Sequence, residues 1–497
     1  MFSKLIPLAE TNLPPLQCAL TAGRLLHSDS RKIRAGDVFI ACQGEFADGR
    51  QFIPAAIANG ASFVFWDDDG QFQWNESWQV PNQGIRDLKT RAGVLAAQVY
   101  RNAKDAAANL ATLPVWGVTG TNGKTSITQW LAQAADLLGE KTAIIGTVGN
   151  GFWGELEETT HTTPDPVAVQ TLLHRFTQAG ATAAAMEVSS HGLAQFRVNG
   201  VAFRSAIFTN LTRDHLDYHG TMDEYGAMKA RLFFWQGLQH AIVNADDAFG
   251  RDLIQQLQTA QDAPQVLSYG FHAGADIHIT NFAASSRGMN LRLHTPWGDG
   301  EVSTRLLGRF NAQNFAACVA LLCANGYELN AVLNALAQIR PATGRMDCLM
   351  NEGKPLVVVD YAHTPDALEK ALATLQEIKA NDANVWCVFG CGGNRDKGKR
   401  PLMGEAAVNG ADKVVVTSDN PRLENPADII ADILPAVPSA EYVNENRAAA
   451  IEYAIAHAGA DDIVLIAGKG HETYQDIQGT KHYFSDFDVA QNALAGK

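Results

Sequence analysis

A strand-like run, LPVWGVT, passes into Gly117-Val-Thr-Gly120-Thr121-Asn122-Gly123-Lys124-Thr125-Ser126 and then into a helical stretch, Ile127–Leu138. A strand, a glycine loop and a helix in that order make a cradle for nucleotide phosphates. The loop N–H groups and the helix N-terminus both turn positive charge toward one spot. Lys124 is placed to reach the β- and γ-phosphates, and the Thr125 hydroxyl to bind Mg²⁺. The strict form of such a loop has glycine where this chain has Val118; here glycines stand at 117, 120 and 123. A glycine-rich turn that only joins two elements is the plainer alternative. No NKxD segment follows, which argues against a guanine nucleotide.

Further chemistry-bearing residues follow strand-like runs. Glu187 closes ATAAAMEV just before Ser189-Ser190-His191. A carboxylate at a strand end beside a phosphate loop is a natural Mg²⁺ ligand. His215, in Asp214-His-Leu-Asp-Tyr-His219, is either a metal ligand or a structural histidine. Lys229 lies in the helical stretch DEYGAMKARLFF, and on spacing alone it reads as solvated surface.

A second group stands far along the chain. Asp360-Tyr-Ala-His363 follows PLVVV, and Asp360 suits a ribose hydroxyl or a nucleotide-bound water. Gly390-Cys-Gly-Gly-Asn394-Arg395-Asp396-Lys397-Gly-Lys399-Arg400 is a cation-rich glycine loop suited to a phosphate or a carboxylate. Asp419-Asn420-Pro421-Arg422 and Gly468-Lys469-Gly470-His471-Glu472 end the next apolar runs. Arg395, Asp419, Asn420, Arg422 and Glu472 offer both signs of charge, which fits a zwitterion carrying an amine and carboxylates.

The elements that must position these residues fall into three blocks. DVFIAC, DGRQFIPAAIANG and ASFVFW read strand, helix, strand: a small α/β unit, followed by a polar stretch from Asp67 to Gly84 and a helical run from Ile85 to Tyr100. The second block, with KTAIIGTVG, ATAAAMEVSS, VAFRSAIFTN and HAIVNADD separated by helical segments, reads as a mostly parallel sheet covered by helices, closed by the buried helix GRFNAQNFAACVALLCANG. RPATGRMD, Arg340–Asp347, reads as a linker. Beyond it PLVVVDYAH, NVWCVFGCGG, DKVVVTSDNPR and DDIVLIAGKG describe a second open, Rossmann-like sheet, whose ligand rim is the carboxyl ends of its strands. The expected domains are 1–92, 93–342 and 343–497.

Bulk properties agree. A chain of 497 residues suits about two to four domains. With 46% hydrophobic and 19% charged residues and a formal net charge of −14, it has no global footprint for nucleic acid. The seven cysteines include no CxxC pair, so reduced thiols are expected rather than a zinc site. The start, MFSKLIPLAETNLPPLQ, lacks a signal-peptide pattern, and no apolar run of roughly 18 residues occurs. A cytoplasmic, monomeric protein with small-molecule substrates is expected.

GVTGTNGKT, MEVSSHGL, NLTRDHLDYHG, YAHTPDAL, GCGGNRDKGKRP, TSDNPR and AGKGHE, in that order, resemble the Mur ligases of peptidoglycan synthesis, and the resemblance covers essentially the whole chain. It implies an N-terminal uridine-nucleotide domain, a central ATPase domain and a C-terminal domain for the incoming amino acid. Ser28, Ser30 and the turn Glu45-Phe46-Ala47 would hold the uridine end of the substrate. His161, Thr162, Thr163, Ser189, Gln195 and Arg197 would hold the muramoyl-dipeptide. Lys229 resembles the lysine that becomes an N6-carboxylated carbamate and binds a second Mg²⁺, with Glu187 and His215 nearby. Asn311, Arg345 and Asp360 would join Gly120–Ser126 in contacting ATP. Arg395, Asp419–Arg422, Gly468 and Glu472 would recognise the amino acid, and in the family DNPR accompanies meso-diaminopimelate. The implied reaction joins that amino acid to the D-glutamyl γ-carboxylate of UDP-MurNAc-L-Ala-D-Glu through an acyl phosphate, with a hinge near Arg340–Arg345 closing the site against water.

Two rivals remain. A folylpolyglutamate-type ligase shares the central and C-terminal layout but lacks a uridine-binding N-terminal domain, so the Ser28–Trp66 unit counts against it. A P-loop ATPase switch that makes no covalent product leaves the DNPR rim unexplained.

Overall fold

A computed structural model describes residues 13–18, 20, 23–44, 47–102, 113–159 and 161–496. The chain forms two compact units, one running to Tyr269 with Ala320–Tyr327, the other comprising Gly270–Val319 and Glu328 onward.

The first unit begins with four parallel strands in the order Leu26–His27, Val38–Ala41, Phe63–Asp67 and Asn82–Ile85. The two middle strands are apolar on both faces, as a covered parallel sheet requires. One face packs on helix Leu88–Arg101 through Leu88, Leu95 and Val99, the other on Ile53 and Ala56 of helix Ile53–Ala58. The helical run expected from Ile85 is therefore divided: Ile85 ends a strand, and the helix starts after Asp87, whose φ is +54°.

Tyr100 and Thr171 tie this sheet to the next part of the unit. The Tyr100 hydroxyl accepts from Leu26 N and lies 2.8 Å from the Thr171 hydroxyl, which donates to Leu26 O. Gly93 allows the backbone of Asn199 to come so close that any Cβ there would overlap the Asn199 carbonyl oxygen.

The central sheet of this unit runs Gln265–Gly270, His240–Asn244, Phe203–Phe208, Val115–Thr119, Ala183–Glu187, Thr142–Ile145, all parallel, then an antiparallel hairpin of Asn150–Phe152 and Glu155–Glu157. Val115–Thr119 lies in the middle, flanked by the strands that end at Phe208 and at Glu187. The loop after it therefore receives side chains from both neighbours. The helix after the loop spans Lys124–Leu137, starting three residues before the expected Ile127, because Gly123 (φ +91°) turns the chain directly into the helix.

The second unit contains an antiparallel ribbon, Ile277–Ser285, Gly288–Thr295 and Gly298–Thr304, which the reading of a mostly parallel block did not include. Its alternation was visible: Met289, Leu291, Leu293 and Thr295 are buried and their neighbours Asn290, Arg292 and His294 exposed. The segment from Arg340 to Met346 carries neither helix nor strand. The sheet that follows has the order Asp347–Leu349, Leu356–Asp360, Ile463–Ala467, Val385–Phe389, Lys413–Thr417, Tyr442–Asn444, parallel except at Asp347–Leu349. Its two faces pack on separate apolar clusters, with Leu368, Leu372 and Met403 on one side and Ile451, Ile455 and Leu494 on the other. The four apolar runs read from sequence are its four inner strands. Among the described residues no helix is long and apolar enough to cross a membrane.

Candidate active site

The phosphate loop is shaped by its neighbour strand as much as by its own glycines. Thr209 Oγ1 donates to Asn122 O at 2.6 Å, Asn122 N donates to Asn210 Oδ1 at 3.0 Å, and Thr121 N donates to Asn210 O at 2.9 Å. Gly120, at φ +142°, has no room for a side chain because Thr209 Oγ1 fills the space. Thr209 and Asn210 end the quoted run VAFRSAIFTN, but the sequence reading gave them no role.

Two lysines converge on this loop. Lys124 Nζ donates to Gly120 O and Thr121 O at 2.9 Å each, and Lys229 Nζ donates to the same Gly120 O at 2.8 Å. Lys229 is 1% exposed, so the solvated-surface reading of this residue is wrong. Helix Met222–Ala230, capped by the Thr221 hydroxyl on Glu224 N, turns it inward. Its Nζ lies 4.3 Å above the Tyr225 ring, and the Tyr225 hydroxyl is 3.2 Å from Thr121 Oγ1. Burial, reinforced by the nearby Lys124 charge, holds the Lys229 ammonium well below the usual lysine range. Lowering the ammonium's pKa raises the fraction of free amine, the nucleophilic form of a lysine.

Glu187 is the other fixed point. Its Oε2 accepts from Thr125 Oγ1 at 3.0 Å and from Thr147 Oγ1 at 3.1 Å, and its Oε1 accepts from Thr147 N at 2.8 Å. The Thr125 hydroxyl and the carboxylate therefore meet at the helix N-terminus as hard oxygen donors. That donor set fits Mg²⁺, which takes one or two protein oxygens and completes its shell with phosphates and water. Among the described residues no group of three or more His, Cys, Asp or Glu is arranged to hold a metal by itself.

His215 sits at φ +54° with its ring 4.8 Å from His191 and 6.1 Å from Tyr225. Burial pushes its pKa down to about 4, against the pull of Asp214. Its backbone N donates to Asp214 Oδ1 at 3.0 Å, and its ring Nε2 lies 3.4 Å from Asp214 Oδ2.

A third group borders Glu187. Thr163 Oγ1 donates to Glu187 O at 2.9 Å and accepts from Ser189 N at 3.0 Å. Arg197 donates to Thr163 O at 2.8 Å and to Gln195 Oε1 at 2.9 Å, while the Thr162 and Thr147 hydroxyls are 2.9 Å apart. Thr162, Thr163, Ser189, Gln195 and Arg197 thus form one continuous rim. Partial burial, reinforced by the Arg197 charge, lowers the His161 pKa. Ser28 Oγ donates to Asp165 Oδ1 at 3.0 Å, linking the first strand's end to the same region, and Ser30 is buried. Ala47 O accepts from Gly44 N at 2.9 Å; Glu45 and Phe46 lie outside the described residues.

In the second unit, Asp360 Oδ2 accepts from Met346 N at 2.7 Å, and burial raises its pKa while Arg345 opposes. Arg345 lies 4.4 Å over the Tyr361 ring, which is 5.1 Å from that of His471. Asn311 is buried and spends its amide on Leu307 O and Asn314. Tyr361 and His471, with ring planes inclined at 40°, form an aromatic pair beside Arg345 that the sequence reading passed over.

The remaining rim is built from two strand ends and one loop. Gly393 N donates to Asn420 O, and Gly393 has no space for a Cβ against Pro421 O. Arg422, at φ +51°, donates through Nη1 to Gly393 O at 2.9 Å, and Gly392 separates its guanidinium from Arg395. Asn420 Nδ2 donates to Glu472 Oε2 at 2.7 Å. Asp419 and Gly468 abut, since a Cβ on Gly468 would meet Asp419 Oδ2 at 2.6 Å. All seven rim residues are therefore neighbours. Sequence reading missed what braces them: Arg447, buried and paired with buried Asp486 at 2.7 Å, donates to Ser418 O and Ala467 O, the last residues before each motif. No motif or periodicity marks Arg447.

The first unit thus holds a glycine loop with a buried lysine and a strand-end carboxylate, and the second unit a rim carrying both signs of charge. Three family descriptions match the chain in order: "Mur ligase family, catalytic domain" over residues 24–114, "Mur ligase middle domain" over 118–322, and "Mur ligase, glutamate ligase domain" over 344–470. The chain belongs to the Mur ligase family. It is 72% identical over 496 residues to the UDP-N-acetylmuramoyl-L-alanyl-D-glutamate--2,6-diaminopimelate ligase of Neisseria meningitidis serogroup B, covering 99% of each chain. A solved UDP-N-acetylmuramoyl-L-alanyl-D-glutamate--2,6-diaminopimelate ligase matches with a TM-score of 0.70 at 38% identity, over 95% of this chain and 94% of that one. A MurF ligase from Thermotoga maritima, solved in complex with ADP, shares the fold (TM-score 0.66, 16% identity, 95% of this chain and 98% of that one).

Proposed function

We propose that this chain joins meso-2,6-diaminopimelate to the γ-carboxylate of the D-glutamyl residue of UDP-MurNAc-L-Ala-D-Glu, consuming ATP, in the cytoplasmic stage of peptidoglycan precursor synthesis. The full-length match to the meningococcal ligase carries this reading. The rim of both charge signs around Asp419–Arg422 and Glu472 supports the amino-acid assignment.

A carboxylate is a poor electrophile and must first be activated. Its oxygen attacks the γ-phosphorus of ATP, the bond to the β–γ bridging oxygen breaks, and ADP leaves. The amine then attacks the acyl phosphate carbon; phosphate departs with the C–O bond electrons, a proton is lost from nitrogen, and the amide remains. Lys124 leaves Gly120 O and Thr121 O for the phosphates, supplying charge where it gathers in the transition state. Thr125 Oγ1 and Glu187 would hold Mg²⁺, which when bound would supply Lewis-acid neutralisation of the phosphate oxygens.

Lys229 serves as an N6-carboxylysine: the neutral amine adds to CO₂, losing a proton, and becomes an anion able to hold a second Mg²⁺, with His215 close by. Ser28, Ser30 and the 45–47 turn hold the uridine end in a domain spanning 1–92. Residues 161–163, Ser189, Gln195 and Arg197 hold the muramoyl-dipeptide in a domain spanning 93–342. Arg395, Asp419–Arg422, Gly468 and Glu472 hold the amino acid in a domain spanning 343–497, and Asn311, Arg345 and Asp360 contact ATP. The protein works as a monomer.

ADP release measured with each substrate omitted in turn tests the reaction. Sustained release over many turnovers is expected only when the muramoyl-dipeptide and diaminopimelate are both present. Equal ATP turnover without either refutes the ligase reading.

A further inference from the structure

Lys469 stands between two residues of the amino-acid rim and has no place in the reaction as derived above. It is wholly buried, at 0% exposure. Its Nζ donates to Asn420 Oδ1 at 3.0 Å and to Glu472 Oε2 at 3.1 Å, and lies 3.9 Å from Asp419 Oδ1. Asn420 Oδ1 also accepts from Asp476 N at 3.0 Å, while its Nδ2 donates to Glu472 Oε2 at 2.7 Å.

These contacts decide two orientations that are otherwise free. With two donors on Oδ1, the Asn420 amide is fixed with its oxygen inward and its nitrogen on Glu472; a flip would set an NH₂ group against an ammonium and a backbone N–H. Both donors to Glu472 fall on Oε2, so Oε1 remains for a ligand's ammonium. Lys469 also sets the local charge. Asp419 and Glu472 are two carboxylates at one strand rim, and without the buried cation they repel each other and bind any ammonium-bearing side chain without discrimination. With it, one net negative charge remains opposite Arg422 and Arg395. The rim then presents one negative and one positive pole, and a side chain ending in both an ammonium and a carboxylate satisfies it better than one ending in an ammonium alone.

We infer that Lys469 is a positioning residue that sets selectivity for the zwitterionic side chain of the incoming amino acid, by locking the Asn420 amide and the Glu472 carboxylate. The inference rests on the ligase reading given under Proposed function.

The test is steady-state phosphate release by the full chain with saturating ATP and UDP-MurNAc-L-Ala-D-Glu, diaminopimelate or lysine being varied, for wild type, K469M, E472Q and K469M/E472Q. K469M is expected to raise the KM for diaminopimelate by about ten- to a hundredfold, the usual effect of losing charge-assisted hydrogen bonds. The KM values for ATP and the muramoyl-dipeptide should change less than about twofold. The preference for diaminopimelate over lysine should fall, and the double variant should lose less than the sum of the two single losses, because Lys469 acts in part through Glu472. K469R, which keeps the cation, should recover part of the loss. If K469M does not accumulate as folded protein, K469Q takes its place with the same expectations. An unchanged diaminopimelate KM, or losses that add in the double variant, overturns the assignment of Lys469 while leaving the ligase reading intact. Wild type that shows no dependence on diaminopimelate fails the ligase reading itself.

Discussion

The phosphate loop and the amino-acid rim solve the same problem, holding charge in a fixed direction, by opposite means. Around Gly117–Ser126 the work is done by backbone: loop carbonyls and N–H groups are held by Thr209 and Asn210, and Lys124 and Lys229 share the Gly120 carbonyl. Around Asp419–Arg422 and Glu472 the work is done by side chains from separate strands, bridged by Lys469 and braced by Arg447 and Asp486. A backbone cradle tolerates few sequences and recognises a chemical group common to many substrates. A side-chain network is cheaper to vary and recognises one substrate. The first therefore governs the rate for every substrate, and the second governs the choice among amino acids.

That division is broken most severely at Lys124. Lys124→Ala is expected to lower the turnover number by about three orders of magnitude, the scale of a lost transition-state electrostatic contact. The KM for diaminopimelate should stay nearly constant. A comparable rise in that KM would show that the two regions are not separable in this way. Lys229→Ala should cost about two to three orders of magnitude in turnover on the same scale. Wild type in CO₂-depleted buffer should lose activity reversibly and regain it with bicarbonate, because an uncarboxylated Lys229 is committed to Gly120 O. Insensitivity to bicarbonate would sink the carboxylysine assignment.

On the rim the effect should be smaller and of the other kind. Arg422→Ala removes a guanidinium that holds Gly393 O and faces the glycine loop. Its expected effect is a rise of about ten- to a hundredfold in the KM for diaminopimelate. Amino-acid competition should show wild type choosing diaminopimelate over lysine and the variant choosing less well. Wild type that prefers lysine refutes the substrate assignment and leaves the chemistry untouched.

The same contrast explains how much could be read without coordinates. The phosphate loop, Glu187, and the four inner strands of the second sheet were legible, because a glycine loop after a strand and apolar runs ending in polar residues obey local rules. Lys229 was not legible from spacing, since its burial depends on a helix packed beneath a loop more than a hundred residues earlier in the chain; only the resemblance to Mur ligases selected it. Arg447 and Asp486 carried no signal at all. They lie 39 residues apart, and an arginine and an aspartate on helices are ordinary surface residues until the fold buries both. Lys469 was visible inside its motif, but nothing local says that a lysine between two glycines points inward. The alternation of Gly288–Thr295 shows the converse, a local signal present and passed over.

The smallest expected effect concerns acid, and it asks which of the two regions gives way first. His471 is pushed down to about 4 by burial and by the nearby Arg345 and Lys469 charges. His219, hydrogen-bonded to Ser190 Oγ at 2.9 Å near the lysine, is also pushed down to about 4, by burial and by neighbouring histidines and Lys229. An unfolded chain binds a proton at each of these positions below about pH 6.5, the ordinary histidine value. The folded chain does not do so until about pH 4. In that window the unfolded state holds more protons, so stability rises with pH and is lost as pH falls from about 6.5 toward 4. Each histidine contributes its own share. Urea midpoints at pH 7 and pH 5 should therefore differ less in His471→Gln than in wild type, and less again in His219→Gln/His471→Gln. If His471→Gln leaves the difference unchanged while His219→Gln removes it, acid acts on the lysine region alone, and the rim is the more robust of the two.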